Sequence, residues 1–154
     1  MPEHVYLSSF LPPSATEEER PWNVNKLLSE EQFIAEVRRW NVNEIVFQDM
    51  MWKTYHPLLR ADFCLFDEYE HTHDGKRCFS WDLTVFSAKE DDMITQEMCE
   101  GWKECTTGKF NLVIIDGHHL FPLQKEVKPT WLKAIADGLD SILEYVELKE
   151  VYCM

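Results

Sequence analysis

The sequence predicts an α/β fold in which parallel strands alternate with helices. The segment FNLVIID, residues 110–116, is almost wholly apolar, as expected for a strand that is covered on both faces. A second β-prone segment, FSWDLTVFSA at 79–88, precedes it, and the segment between them, residues 94–108, is amphipathic with a helical period. A strand, a helix and a strand in this order form a crossover between parallel strands, so both strands end at the same edge of the sheet.

A further strand is predicted near the start of the chain. Residues 4–10, HVYLSSF, are short and β-prone. Residues 11–22, LPPSATEEERPW, are rich in proline, small and acidic residues, and they predict an exposed loop.

Residues 29 to about 70 are predicted to form a helical block without a strand. Ser29 precedes two acidic residues, which is typical of a helix N-cap. Apolar side chains then recur at helical spacing at Phe33, Val37 and Trp40. The helical pattern continues beyond this segment, and Pro57 is expected to break or kink it.

The last predicted element is a helix over residues 129–148. It begins with a proline, which the first turn of a helix tolerates. One face carries the apolar residues Trp131, Ile135, Leu139, Ile142, Leu143 and Val146. We therefore expect a single domain over residues 1–154, with the helical block at about 29–70 and an α/β portion at about 78–150.

Composition excludes several classes of protein. The 154 residues are 45% hydrophobic and 28% charged, which is in the range of globular domains. The net charge of -13, from 28 acidic and 15 basic residues, disfavours binding to nucleic acid or to an anionic membrane. No stretch reaches the ~18 apolar residues of a membrane span, and the first residues lack the pattern of a signal peptide. We expect a cytoplasmic protein that binds neither nucleic acid nor a membrane.

Metal and cofactor sites are not expected either. The five cysteines include no C-x-x-C spacing, which argues against a zinc ribbon, and their odd number argues against a disulfide framework. His71, His73 and Asp74 form an H-T-H-D run, but histidines two apart in a polar loop, without a distant matching pair, are expected to be exposed.

Polar side chains follow the ends of the two neighbouring strands. The segment AKEDDMI, residues 88–94, comes after one strand, and DGHHLF, residues 116–121, comes after the other. In open α/β sheets this edge binds the ligand. An acid that orients a histidine, which in turn deprotonates a nucleophile, needs such a placement, and the chain order acid then histidine is that of the α/β-hydrolases.

Three segments resemble the type II thioesterase family. They are LLRADFCLFDEYE, WDLTVFSAKEDDMIT and EGWKECTTGKFNLVIIDGHHLF. Members of that family are α/β-hydrolases that remove acyl groups from the carrier proteins of polyketide and nonribosomal peptide synthesis. A Gly-Gly-x-x-Asp-Pro-type turn bears their catalytic acid, and a Gly-His-Phe-Phe-like turn bears the catalytic base. The resemblance implies a partial α/β-hydrolase: a parallel sheet with crossover helices and a helical lid insertion.

Carried over residue by residue, the resemblance assigns the catalytic acid to Asp91 and the base to His118. Asp92 remains a rival acid. His119 is expected to face elsewhere, because the family has an aromatic residue there and adjacent residues cannot both face one partner. The non-catalytic alternative for His118 is a histidine at the end of a strand that hydrogen-bonds to the backbone. The non-catalytic alternative for Asp91 is an acid exposed to solvent.

The chain also departs from the family. Ser87-Ala88 stands where Gly-Gly is usual, and Asp116 replaces the first glycine of the histidine turn. The G-x-S-x-G motif, which carries the nucleophile before the lid in the family, is absent from the sequence. The sequence therefore resembles the second half of such an enzyme, without its nucleophile and without its usual oxyanion-hole loop.

The resemblance implies the C-terminal part of an enzyme that hydrolyses acyl thioesters on carrier proteins. Its expected partners are a phosphopantetheine-bearing acyl carrier protein, or another acyl thioester, and a missing N-terminal hydrolase half. The alternative is a non-catalytic truncated paralogue that binds a carrier protein, an acyl chain or a partner hydrolase half. The third alternative is a truncated gene model of a full enzyme, whose first part is missing from this sequence.

Overall fold

The three predicted strands form one parallel sheet. The structure, a computed structural model, describes residues 2–71 and 79–152. Its strands are β1 (His4–Ser8), β2 (Asp82–Ala88) and β3 (Phe110–Ile115), in the order β1-β2-β3. Both pairings are parallel, so the three strands end at one edge; the sequence predicts this for β2 and β3.

Four α-helices among the described residues pack around the sheet, and they confirm the predicted α/β class. They are α1 (Glu30–Arg39), α2 (Asp49–Glu68), α3 (Gln96–Glu100) and α4 (Lys128–Tyr152). The helix predicted over residues 94–108 is shorter than expected, since α3 ends after five residues and a 3₁₀ turn, Gly101–Cys105, completes the connection. A Cβ on Gly101 would lie 3.0 Å from the Pro12 ring, so the chain passes closely under the loop that follows β1.

The helix α2 continues through Pro57, so the predicted break is wrong. A proline inside a helix removes the hydrogen bond to the carbonyl four residues earlier, which here belongs to Lys53. Pro57 and Lys53 are both exposed, and water can therefore satisfy that carbonyl.

The sheet separates two apolar cores, because successive side chains of a strand point to opposite faces. One face carries Val5, Leu83 and Val85 and packs against the helical block and α3. The other face carries Phe86 and packs against α4 through Trp131. The sheet is thus covered on both faces, which explains the nearly continuous apolar pattern of its strands.

Hydrogen bonds fasten the helical block together. The predicted N-cap of α1 is confirmed: the Ser29 hydroxyl accepts from the backbone of Gln32, and the Gln32 side chain accepts from the backbone of Ser29. Near the end of α2, Asp67 accepts from the backbone N–H groups of Asn25 and Lys26. The segment before α1 is therefore held against α2.

No helix among the described residues is long and apolar enough to cross a membrane. Of the H-T-H-D run, His71 is half-buried at the end of the first described range. His73 and Asp74 lie outside the described residues.

Ser9, directly after β1, adopts a backbone conformation that suits glycine better. Its φ of 37° lies in the left-handed region, its side chain is buried, and its hydroxyl has no hydrogen-bond partner among the described residues. The Ser9 N–H donates to the carbonyl of Phe86, which fixes this turn against β2. The left-handed conformation costs a non-glycine residue about 1–2 kcal/mol.

We expect Ser9→Gly to raise the free energy of unfolding by about 1 kcal/mol. The variant removes the backbone strain and the unpaired hydroxyl, and these gains exceed the about 0.4–1 kcal/mol lost through the greater freedom of glycine in the unfolded chain. Urea denaturation measures the difference. Ser8→Gly is the matched control, because glycine inside a strand should destabilise by about 0.5–1 kcal/mol. Equal destabilisation by both variants would contradict the assignment of strain to Ser9.

Candidate functional site

The segments that leave β2 and β3 are hydrogen-bonded to each other beyond the last paired residues, Ala88 and Ile115. The N–H of Lys89 donates to the carbonyl of Ile115 at 3.0 Å, and the N–H of Glu90 donates to the carbonyl of Gly117 at 2.9 Å. These bonds extend the sheet by one step. They bring the residues that follow each strand to one place at the carboxyl edge.

Asp91 is the acid at this edge. Its side chain is fully buried. One carboxylate oxygen, Oδ1, accepts from the N–H groups of Met93 and Ile94, both at 2.9 Å. The other, Oδ2, lies 2.9 Å from Nδ1 of His119. The acid predicted from the sequence is thus the one that meets a histidine, whereas the rival Asp92 is exposed.

The hydrogen bonds keep Asp91 ionised despite its burial. Burial raises the pKa of a carboxyl group, because it penalises the charged form. The hydrogen bond from His119 and those from the backbone of Ile94 and Met93 favour the carboxylate, and together they outweigh burial, so the pKa of Asp91 is lowered. A buried anion therefore lies at the sheet edge at neutral pH.

The turn after β3 decides which histidine reaches this anion. Gly117 has a φ of 127°, and a Cβ there would meet the side-chain oxygen of Gln124. That oxygen accepts from the N–H of His118 at 3.0 Å, and the carbonyl of His118 accepts from Phe121 at 2.9 Å. The glycine and this bonding hold the turn in one conformation.

The structure corrects the predicted pairing of Asp91 with His118: the histidine bonded to Asp91 is His119. The ring of His118 accepts from the backbone N–H of Leu120 at 3.3 Å, so it is tied to its own turn. Adjacent side chains cannot both face one partner, and the conformation of this turn directs His119, not His118, towards Asp91. Because the carboxylate can only accept, Nδ1 of His119 carries a proton and Nε2 is left as its basic nitrogen.

The sequence does hold a signal for this assignment. In the family, two glycines precede the histidine of this turn. If His118 is taken as that histidine, Asp116 occupies the position of the first glycine and Gly117 that of the second. With His118 as the histidine, the turn matches only Gly117 and the histidine itself. With His119, the turn matches Gly117, the histidine and the aromatic residue Phe121. Counting matches over the whole turn therefore favours His119.

Trp40 brings the helical block to this edge. It follows the last residue of α1, it is 5% exposed, and its ring packs edge to face on the His119 imidazole with centroids 4.8 Å apart. The His119 side chain is left only 10% exposed. The helical block thus covers the acid–histidine pair, as the resemblance predicts for a lid.

Possible nucleophiles near the pair are buried. Ser87 is 1% exposed and Cys99 is fully buried. Burial raises the pKa of the Cys99 thiol more than its hydrogen bonds to Ser87 and to the backbone of Phe10 lower it, so the thiol stays protonated. Among the described contacts, the side-chain hydrogen bond of His119 is the one to Asp91.

An apolar pocket of about 350 Å³ lies between the loop after β1 and the end of α2. The aromatic rings of Phe10, Trp22 and Phe66 line it, and each of them also packs against Trp40. One cation, Arg20, lines the pocket and donates to backbone carbonyls of α2 and its C-cap. The pocket and the acid–histidine pair thus share Trp40 as a neighbour.

Across residues 2–71 and 79–152, no group of three or more His, Cys, Asp or Glu side chains is placed to hold a metal ion. Asp116, which also lies at this edge, is exposed and pairs with Lys89 instead. The arrangement at the edge is therefore a carboxylate and an imidazole, without a ligand set that the described residues could offer to a metal.

Comparison with known proteins identifies thioesterases as the proteins that this chain resembles. The family of thioesterase domains matches residues 1–139. The chain is 36% identical over 97 residues to the gramicidin S biosynthesis protein GrsT of Aneurinibacillus migulanus, covering 62% of this chain and 37% of GrsT.

Solved structures share the fold. Human thioesterase 2 superposes with a TM-score of 0.66 at 26% identity, covering 91% of this chain and 61% of that protein. YbtT, the type II thioesterase from the yersiniabactin NRPS/PKS biosynthetic pathway, superposes with a TM-score of 0.72 at 20% identity, covering 88% of this chain and 53% of YbtT. The chain therefore spans only part of the length of the proteins that it matches.

We expect Asp91→Asn to lower the free energy of unfolding at pH 7 by about 2 kcal/mol, the scale of hydrogen bonds to a charged group. The pKa of Asp91 is lower in the folded chain than its ordinary value of 3.8, so its contribution is present above that value and is lost as the pH falls further. The difference in the free energy of unfolding between the wild type and Asp91→Asn should therefore become smaller as the pH falls below about 4.

Urea denaturation at a series of pH values measures this gap. Asp92→Asn is the matched control, since Asp92 is an exposed neighbour whose loss should change stability by less than about 0.5 kcal/mol. A gap that stays constant with pH would show that the Asp91 carboxylate is not stabilised as described.

Proposed function

The chain belongs to the thioesterase domain family, and we propose that it supplies the acid and the base of a thioesterase active site. Its fold is part of an α/β-hydrolase, related to type II thioesterases. The single observation that carries the proposal is the 2.9 Å hydrogen bond between His119 and the buried carboxylate of Asp91 at the carboxyl edge of the sheet. An oriented imidazole of this kind is the general base of serine hydrolases.

The hydrogen bond assigns a role to each nitrogen of His119. Nδ1 donates to Asp91, so Nε2 would take the proton of a serine hydroxyl as that oxygen attacks the thioester carbonyl carbon. The carbon–sulfur bond then breaks, and the departing thiol takes the proton from Nε2. Water hydrolyses the resulting serine ester with the same base, which releases a carboxylic acid and restores the serine. Asp91 stays ionised and stabilises the imidazolium in both steps.

We propose that the attacking serine lies outside this sequence. G-x-S-x-G is absent from the 154 residues. Ser87 and Cys99 are buried, and the described side-chain hydrogen bond of His119 goes to Asp91. The relatives are longer, since this chain covers 37% of GrsT and 53% of YbtT. The N-terminal half of a thioesterase, in the same polypeptide or as a partner, would supply the nucleophile and the oxyanion donors.

The substrate that we propose is an acyl thioester on the phosphopantetheine arm of a carrier protein. The pocket beside the helical block favours an acyl chain, because aromatic and aliphatic side chains line it. YbtT is a type II thioesterase from an NRPS/PKS biosynthetic pathway. The resemblance of this sequence to the type II thioesterase family implies a carrier-bound acyl thioester, and we extend that substrate class to this chain.

The second candidate is a binding module without catalysis. The absence of the nucleophile motif is the observation that favours it. Such a module would keep the helical block and the pocket, and it would bind a carrier protein, an acyl chain or a complementary hydrolase half.

We expect the chain alone to hydrolyse a short-chain acyl thioester no faster than its His119→Ala variant. Without a positioned serine the covalent route is lost, and loss of a serine hydrolase triad member costs on the order of a million-fold in rate in the protein where it was measured. Mixing the chain with the N-terminal half of a related thioesterase should restore turnover. The measurement is release of free thiol over time.

Variants of the mixture then identify the base. His119→Ala should reduce kcat by at least about a thousand-fold, whereas His118→Ala should keep most of it, because His118 bonds its own turn. The reverse order of the two losses would restore the original assignment to His118. If the chain alone hydrolyses the thioester and His119→Ala abolishes that activity, the nucleophile lies within the chain. If no mixture hydrolyses the thioester, the binding module is favoured.

A further inference from the structure

We propose that Trp40 is a substrate-binding residue, which donates its indole N–H to an oxygen of the acyl group bound beside His119. The inference rests on the proposed function, since it takes the acyl group as the ligand of this site. It adds a hydrogen-bond donor from the helical block to a site whose acid and base both come from the sheet edge.

The indole N–H of Trp40 is buried and has no hydrogen-bond acceptor in the described structure. Other indoles of the same core do have acceptors: Trp52 donates to Glu30 at 3.0 Å, and Trp102 donates to the carbonyl of Phe10 at 2.7 Å. Buried donors in folded proteins are generally paired, so an unpaired one beside a functional group requires an explanation, and a ligand oxygen that accepts from it supplies one.

The surroundings of Trp40 are poor in acceptors. Its ring lies 4.8 Å from the His119 imidazole, and the other rings around it belong to Phe10, Trp22, Phe63 and Phe66, with centroids 5.8 to 6.5 Å away. These four side chains accept no ordinary hydrogen bond from an N–H. In such an apolar setting a hydrogen bond to a ligand oxygen is stronger than it would be in water.

One acceptor of the chain itself could compete for this N–H. Glu36 lies one turn earlier on α1, buried, with Oε2 bonded to Asn23 and Arg39 and with Oε1 unpaired. The two unpaired groups are not bonded to each other, although positions four apart on a helix are neighbours. The donor of Trp40 is therefore both unpaired and buried in this structure, so a ligand oxygen reaches it only when the side chains that cover it move.

An acyl thioester and its product both fit this donor chemically. The carbonyl of the thioester accepts a hydrogen bond, and the carboxylate of the released acid accepts a stronger one. The reacting carbonyl must lie close to the groups that act on it, and Trp40 packs directly against the proposed base. The acyl chain can extend along Phe10, Trp22 and Phe66 into the apolar pocket.

The test is a titration of the whole chain with sodium octanoate, followed by the indole ¹H–¹⁵N resonances. Trp131 provides a matched control, because its indole N–H is also buried and unpaired but belongs to the core on the opposite face of the sheet. The variants Trp40→Phe and Trp131→Phe assign the two resonances. We expect the Trp40 resonance to move downfield to saturation while the Trp131 resonance stays in place.

Affinity supplies the second readout. Trp40→Phe keeps an aromatic ring against His119 but removes the donor, and we expect it to weaken octanoate binding about tenfold or more, as for a hydrogen bond to a charged acceptor. Trp131→Phe should leave the Kd unchanged. The dispersion of the remaining backbone resonances shows whether each variant is folded, and the wild-type titration does not depend on any variant.

Three results would overturn the proposal: no saturable binding of octanoate, binding that leaves the Trp40 resonance in place, or a Trp40→Phe variant that binds as tightly as the wild type. A Trp40 resonance that responds to Glu36→Gln but not to octanoate would assign the donor to Glu36 instead. If octanoate moves the Trp40 resonance but no mixture of halves hydrolyses a thioester, the binding role stands and the proposed reaction fails. Hydrolysis without any effect of Trp40→Phe would reject only the role of Trp40.

Discussion

The parallel pairing of β2 with β3 is the constraint on which the rest of the structure depends. It continues past Ala88 and Ile115 through the backbone bonds of Lys89 and Glu90, so two turns that are distant in sequence form a single edge. A buried carboxylate without partners would be strongly unfavourable there. The paired turns resolve this, because they supply two N–H groups and an imidazole to Asp91.

The same hydrogen bonds stabilise the buried carboxylate and orient the histidine. They hold Asp91 as an anion by lowering its pKa, and the anion fixes both the orientation and the protonated nitrogen of His119. Trp40 then packs edge to face on the imidazole. The imidazole of His119 is therefore oriented by groups from the sheet edge and from the helical block.

The sequence predicts the strands, the sheet edge and the acid, because these follow from apolar periodicity and from the common direction of parallel strands. It places the histidine that bonds Asp91 one position too early. That choice depends on the left-handed Gly117 and on the hydrogen bond that the His118 N–H donates to Gln124, and apolar periodicity reports neither. The sequence predicts helix on both sides of Pro57 but leaves a break there as one alternative. The cost of Pro57 depends on whether the Lys53 carbonyl reaches water, and that is a property of the fold.

The division of the site between separate parts of the chain has a physical consequence. The acid and histidine are held by backbone bonds between strands, which are stiff, whereas Trp40 lies at the end of a helix whose contacts with the edge are aromatic and non-directional. Movement of the helical block would therefore change the cover over His119 and the position of the indole donor without disturbing the bond between His119 and Asp91. A site built in this way can admit and release an acyl group while its base stays oriented, which is the requirement that the proposed hydrolysis places on a lid.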